Sequence, residues 1–209
     1  MKMEDNVVAS SSDAERWEAL KMGNTIVYEE IFKQHYSFLF NYCQRFQDDE
    51  DEIKDCLQIL FLTIWERRTF LGPTTSIKNY LLSSLRRLVL KRMKSDSLRL
   101  TIDPDTFNLH SELSIEAQMI RDQTASDRLS QLQRGVEKLP ARQKEALYLK
   151  YYGEQSFADI AHTMNISTRA VYKLIYKALD ALTEEFTAEP VSVLMSVVPF
   201  LLSTLFLLR

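Results

Sequence analysis

Two clusters of basic and aromatic side chains are the clearest candidates for chemistry with a partner. Residues 67–99 carry nine basic side chains and one acidic side chain, and residues 131–182 carry eight basic and five acidic ones. Cationic groups neutralise phosphates, and aromatic rings stack on unpaired bases. Although the net charge of the chain is -3, we interpret these clusters as candidate nucleic-acid contacts. Either cluster alone could also be a solvated helix surface.

Other kinds of site have less support. The cysteines and histidines lack the close spacing of a zinc site or a disulfide framework, and they are Cys43, Cys56, His35, His110 and His162. The acidic run DDEDE is continuous, with no glycine-rich phosphate loop or spaced set of metal ligands beside it. We therefore predict no catalytic residue, no metal and no cofactor.

The elements that must position these clusters are helices. The chain has only four glycines and five prolines, and its apolar residues recur at helical spacing. The predicted fold is all-α, with two small helical domains joined by a linker, the second a helix-turn-helix domain, and an apolar C-terminal helix. The expected boundaries are an N-terminal extension over 1–26, the first domain over 27–95, the linker over 96–128, the second domain over 129–184 and the tail over 185–209.

The first domain is expected to contain three helices. The first includes Ile31 to Phe46, the second begins after a cap at Asp49 or Asp51 and ends near Phe70, and the third begins at Ser76. The buried stripe of the second helix is Ile53, Leu57, Leu60, Phe61 and Ile64. Its opposite side combines apolar with polar residues, which indicates a partner surface, and these residues are Asp55, Gln58, Ile59 and Leu62.

The first basic cluster lies on the third helix and the connection before it. Four residues there offer stacking or hydrogen-bonding groups for unpaired bases, and they are Phe70, Lys78, Asn79 and Tyr80. The cations expected to neutralise the backbone are Arg86, Arg87, Lys91, Arg92 and Lys94.

The second basic cluster contains a helix-turn-helix pattern. A short helix from Phe157 to Met164 is followed by a helix that Ser167 caps and that runs through Ala178. The expected small core is Ile160, Ile166, Val171 and Leu174. The residues expected to face a major groove are Ser167, Thr168, Arg169, Tyr172, Lys173 and Tyr176.

The segments LPARQKEALYLKYY and SFADIAHTMNISTRAVYKLIYKAL resemble the fourth conserved region of sigma factors. DCLQILFLTIWERR is similar to the Asp-x-x-Gln-x-x-Phe-x-x-x-Trp helix of the second region. The matching residues are Leu139, Pro140, Asp159, Ile160, Ala161, Ile166, Ser167 and Val171 in the fourth region, and Asp55, Gln58, Phe61 and Trp65 in the second. Without a third region, the chain resembles the extracytoplasmic-function group.

This resemblance implies a role for each domain. The second-region domain would bind core RNA polymerase through Asp55, Gln58, Ile59, Phe61 and Leu62, and would capture the unpaired strand of an upstream promoter element. The fourth-region domain would read promoter DNA further upstream. The family also implies an anti-sigma factor as a partner. Arg87 stands where the family usually has Asn, and Lys91 stands where Asp or Asn is usual.

Two other interpretations come from different classes of protein. A helix-turn-helix regulator that binds operators as a dimer would leave DCLQILFLTIWERR unexplained. An all-α enzyme would need the DDEDE run to supply its catalytic carboxylates.

The location of the chain is predicted from its two ends. The first twenty residues lack an apolar core of signal-peptide length, so we expect a cytoplasmic protein. Residues 191–208 hold no charge and would span about 27 Å as a helix, close to a hydrocarbon thickness of about 30 Å. This tail would either contact a membrane or pack on the protein or a partner.

Overall fold

The structure is a computed structural model that describes residues 12–97 and 123–185, with side chains from 12 to 94 and from 131 to 184. These residues form eight α-helices and no strand, which confirms the all-α prediction. The helices group into two compact units, with α1 to α3 and α4 up to Arg92 in the first and α5 to α8 in the second. In the first unit they are α1 Asp13–Lys21, α2 Thr25–Cys43, α3 Glu50–Glu66 and α4 Ile77–Ser97. In the second they are α5 Gln123–Lys138, α6 Ala141–Tyr151, α7 Phe157–Met164 and α8 Thr168–Glu185.

Helix α1 was missed in the sequence analysis, which treated residues 1–26 as an extension. Ser12 caps it by accepting a hydrogen bond from the Glu15 amide, while the Glu15 side chain accepts one from the Ser12 amide. Trp17 and Leu20 are both fully buried. Two apolar residues are too few to show a helical period, but the Ser-x-x-Glu pattern was a usable signal.

Helices α2 and α3 form the centre of the first unit. Helix α2 begins at Thr25, before the predicted Ile31, because the Asn24 side chain accepts hydrogen bonds from the amides of Ile26 and Val27. Asp49 caps α3 through the amides of Asp51 and Glu52, as predicted. All five residues of the predicted α3 stripe are buried.

Helix α4 carries the basic cluster, and its apolar side is buried in the first unit. The Ser76 hydroxyl accepts a hydrogen bond from the Asn79 amide at 3.3 Å, which confirms the predicted cap. Ile77, Leu81 and Leu85 are fully buried and Val89 is nearly so, which anchors one side of the helix. The basic side chains therefore lie on the sides of α4 that do not face the core, and the buried side holds this helix in place.

The second unit contains the helix-turn-helix formed by α7 and α8. Its core differs from the prediction, because Ile175 is buried together with Ile160 and Val171, whereas Ile166 and Leu174 are only half-buried. Helix α8 also extends past the predicted end at Ala178 to Glu185.

Two predicted segments fall outside the described residues. Most of the linker over 96–128 and all of the apolar stretch 191–208 lie outside the described residues. The membrane contact expected for that stretch therefore stays a prediction. Among the helices that the structure describes, none is both long and apolar enough to cross a bilayer.

Candidate nucleic-acid and partner interfaces

The exposed side of α3 carries most of the predicted partner residues. Asp55 and Gln58 are exposed, and Ile59 and Leu62 remain 37% and 48% accessible. Positions 55, 58, 59 and 62 lie at helical spacing, so they share one face. The structure therefore places two aliphatic side chains among polar ones on a helix whose opposite side is anchored in the core.

Phe61 does not belong to this face. It is only 2% exposed, and its ring packs edge-on against Phe32 with centroids 4.8 Å apart. Tyr28 makes a second edge contact at 6.3 Å. The predicted direct contact of Phe61 with a partner is therefore corrected, because a buried ring supports the α3 face from inside.

A cavity of about 460 Å³ lies between α3, the following connection and α4. It is lined by the second half of α3, by residues 70–72, and by four residues of α4, which are Tyr80, Ser84, Leu88 and Arg87. The cavity thus brings together Phe70, Tyr80 and Arg87 from the predicted strand-capture set. Phe70 is 87% exposed at its rim, which leaves the ring open to stacking.

The other strand-capture residues lie outside the cavity lining. Lys78 places its ammonium 4.5 Å from the centre of the Phe38 ring, and Asn79 is half-buried in the first turn of α4. Arg86 is half-buried and Lys91 is exposed. The structure therefore does not bring these four residues together at the cavity; only Lys91 lies one turn from a lining residue, Arg87.

Helix α1 holds the connection that forms one wall of the cavity. The Trp17 indole donates a hydrogen bond to the Gly72 carbonyl at 2.9 Å, and its ring lies 4.7 Å from the Tyr80 ring. Asp13 accepts a hydrogen bond from the Ile77 amide at 2.9 Å, at the start of α4. Sequence reasoning missed both positioning residues, since each acts on a partner more than fifty positions away.

The helix-turn-helix is set by local caps. Ser156 and Asp159 form a capping box at the start of α7, and Asn165 ends that helix in the left-handed conformation at φ 54°. The Ser167 hydroxyl then accepts a hydrogen bond from the Ala170 amide at 3.2 Å, which starts α8. These contacts fix the direction of the candidate recognition helix.

All six predicted residues of this recognition surface are exposed, including Tyr172 at 41% and Tyr176 at 53%. Tyr172 stacks on Phe157 of α7 with centroids 4.0 Å apart and planes 12° from parallel. The Tyr176 ring stacks next to the Tyr172 ring with centroids 6.1 Å apart, so the three rings form an aromatic row. The two tyrosines are therefore held in place, while Thr168, Arg169 and Lys173 project from the same end of α8.

Two family models match the chain, and together they span more than half of it. Residues 31–99 match the model described as Sigma-70 region 2, and residues 129–182 match the one described as Sigma-70, region 4. No curated protein matches the chain in sequence.

Solved structures of the same fold are also known. CnrH, determined in complex with the cytosolic domain of CnrY, is 17% identical, with a TM-score of 0.56 over 86% of this chain and all of that one. RpoE from Bartonella quintana, determined with the anti-sigma factor NepR, is 16% identical, with the same TM-score over 78% of this chain and 98% of that one.

Proposed function

This chain belongs to the sigma-70 family, and we propose that it is a member of the extracytoplasmic-function group in which three surfaces of the described residues share the work of starting transcription. A sigma factor directs RNA polymerase to promoters, and the family consists of initiation factors, not enzymes. The proposal therefore concerns which residues contact polymerase, the opened strand and the upstream duplex.

We assign the exposed face of α3 to core polymerase. The observation that carries this assignment is the exposure of Leu62 beside Asp55 and Gln58 on a helix whose other side is buried. An accessible aliphatic side chain within a polar rim has the composition of a docking surface, where burial of a few central residues supplies most of the affinity. Ile59 lies at the border of this face and also lines the cavity.

The cavity and its rim are assigned to the opened promoter strand. A base that leaves the duplex loses its stacking, and an exposed ring such as Phe70 restores it with about 1–3 kcal/mol per base. Lys91 is exposed one turn after Arg87 on α4, where a cation would neutralise the strand's phosphates, whereas Lys78 and Arg86 lie on other sides of this helix. Tyr80 would form the inner aromatic wall.

The exposed end of α8 is assigned to the upstream duplex. Arg169 and Lys173 lie one turn apart, and Thr168 adds a hydroxyl beside them. The side chains at the N-terminal end of a recognition helix are those that reach base edges in a major groove. The ordered tyrosine row beside them would contact sugars, phosphates or thymine methyl groups.

We also propose an anti-sigma factor as partner. CnrH and RpoE were both determined as complexes, one with the cytosolic domain of CnrY and one with the anti-sigma factor NepR. A protein that covers either the α3 face or the DNA-binding surfaces would block initiation. We expect this regulation to act in the cytoplasm, where polymerase and promoter DNA meet.

The assignment of α3 is tested with the Leu62→Glu variant, since Leu62 does not line the cavity. We expect its affinity for core polymerase to fall about 30-fold or more, because a charge replaces a central apolar contact. Ile26→Glu is the matched control, as Ile26 is 67% exposed on α2 of the same unit and should tolerate the same change. Equal affinities for core polymerase in these two variants would refute the assignment.

A double variant separates this function from that of a simple operator-binding regulator. The Arg169→Ala and Lys173→Ala double variant should still assemble with core polymerase but lose promoter selection. An operator-binding protein would show specific DNA binding without any polymerase requirement.

A further inference from the structure

Arg87 lies in the lining of the cavity between α3 and α4. Tyr80, Ser84 and Arg87 follow each other at one-turn intervals on α4, so they line one side of the cavity. Phe70 and Gly72 close another side from the connection after α3. The guanidinium is thus the cationic group that α4 contributes to a cavity with aromatic groups at its rim and on its wall.

The guanidinium has most of its donors available. Its Nη2 donates to the Ser84 hydroxyl at 3.3 Å, and among residues with described side chains it makes no ion pair with a carboxylate. Arginine carries five N–H donors in a planar fork, so one bond to Ser84 orients the group without exhausting it. A fork held in this way matches two acceptors that lie side by side.

We propose that Arg87 selects the base captured in this cavity and favours guanine or cytosine. Guanine places O6 and N7 side by side, and an unpaired cytosine places N3 and O2 side by side, so each offers two adjacent acceptors to the fork. Adenine and thymine place a donor next to each acceptor on the edges they present. The inference rests on the proposed strand capture and adds the identity of the captured base.

The competing role for Arg87 is a contact with phosphate, as for any cation on α4. The two roles differ in a measurable way, since a phosphate contact strengthens binding to all sequences equally, whereas a base contact changes one position. Substitution by lysine separates them further, because it retains the charge and removes the fork.

The experiment uses holoenzyme assembled from the full chain and core polymerase, with pre-opened promoter DNA whose single-stranded segment is randomised. Sequencing of the bound fraction should show enrichment of guanine or cytosine at one position. Four DNAs that differ only there should then differ in affinity by about 5- to 150-fold, with adenine and thymine weakest. Separate measurements with guanine and cytosine decide which of the two is preferred.

Arg87→Gln and Arg87→Lys should both lose the preference at this position, while Lys retains more of the overall affinity. The inference is overturned if wild type shows no such preference, if Arg87→Gln retains it, or if Arg87→Gln weakens all four DNAs equally. Because Arg87 is exposed, both variants are expected to fold, and circular dichroism checks this.

Phe70→Ala distinguishes failure of this inference from failure of strand capture itself. Removal of the ring should weaken binding to all four opened DNAs without changing their order. If Phe70→Ala binds opened DNA as wild type does, strand capture at this cavity is wrong. If it binds more weakly while Arg87→Gln still prefers the same base, only the role of Arg87 is wrong.

Discussion

The cavity of the first unit and the recognition helix of the second are both candidate nucleic-acid surfaces, but they are held by contacts of different range. The cavity wall depends on a hydrogen bond that Trp17 donates to a carbonyl 55 positions away and on one that Asp13 accepts from an amide 64 positions away. The recognition helix depends on caps at Ser156 and Ser167 that reach three positions along the chain. The first surface is therefore fixed by long-range contacts, whereas the start of the recognition helix is fixed by local caps and its buried side packs on α5, α6 and α7.

This difference separates what stabilises the fold from what shapes each site. The hydrogen bonds of Trp17 and Asp13, which we call the α1 clasp, couple the geometry of the cavity to the stability of the first unit. A locally capped helix-turn-helix can lose a surface side chain with little effect on its fold. Three substitutions or conditions test that contrast.

The largest effect is expected for Trp17→Ala. Removal of a fully buried indole should lower the free energy of unfolding of the first unit by about 3–5 kcal/mol and weaken binding to opened DNA. Urea unfolding followed by tryptophan fluorescence measures it, because both tryptophans of the wild type lie in the first unit and Trp65 remains in the variant. Trp17→Phe is the matched variant, which retains a ring and removes the hydrogen bond to Gly72, at a cost of about 1 kcal/mol or more. If Trp17→Ala binds opened DNA normally, the clasp does not shape the cavity.

A smaller and more local effect is expected for Phe157→Leu. Loss of the ring that stacks on Tyr172 should weaken binding of the upstream duplex by about 0.5–1.5 kcal/mol and leave the Trp65 unfolding transition unchanged. Phe157→Tyr retains the stacked ring and serves as control in a fluorescence anisotropy titration. The contrast between the two surfaces fails if Phe157→Leu shifts the unfolding of the first unit instead.

The smallest effect is expected for the pH dependence of the stability of the first unit, through His35. Burial lowers the pKa of His35, with the nearby Asp13 carboxylate opposing this and the Arg16 and Lys78 cations adding to it. Since the folded pKa lies below the ordinary value, the unfolded state binds more protons, and stability is lost as the pH falls from about 6.5 through the folded pKa. The urea midpoint reported by Trp65 should therefore decrease between pH 7 and pH 5.5, and His35→Gln should reduce that dependence. An unchanged midpoint in wild type would contradict the sign.

The features that sequence predicted are those fixed by local contacts or by a long apolar period. The five-residue stripe of α3, its cap at Asp49 and the helix-turn-helix cap at Ser167 all belong to this group. Their signals lie within one or two turns of the residues that they position.

The features that were missed depend on tertiary packing. Helix α1 buries only Trp17 and Leu20, so its pattern was too short to distinguish it from an extension. Ile175 displaced Leu174 from the small core because neighbouring helix positions differ by only about 100°, and packing decides which one points inward. The cavity could not be predicted from the sequence because three separate elements form it.

The hydrogen bonds of Trp17 and Asp13 also impose an order on synthesis. Asp13 leaves the ribosome 64 residues before its partner Ile77, which at about 5–20 residues per second is a wait of about 3–13 s. During most of that interval the Trp17 indole lacks its hydrogen-bond partner Gly72 and its ring neighbour Tyr80, whereas the caps at Ser156 and Ser167 meet their partners almost as soon as they are made. A nascent sigma factor therefore completes the cavity that we propose for the opened strand only after translation has passed the start of α4, and a chain released earlier would be exposed at that indole to chaperones and proteases.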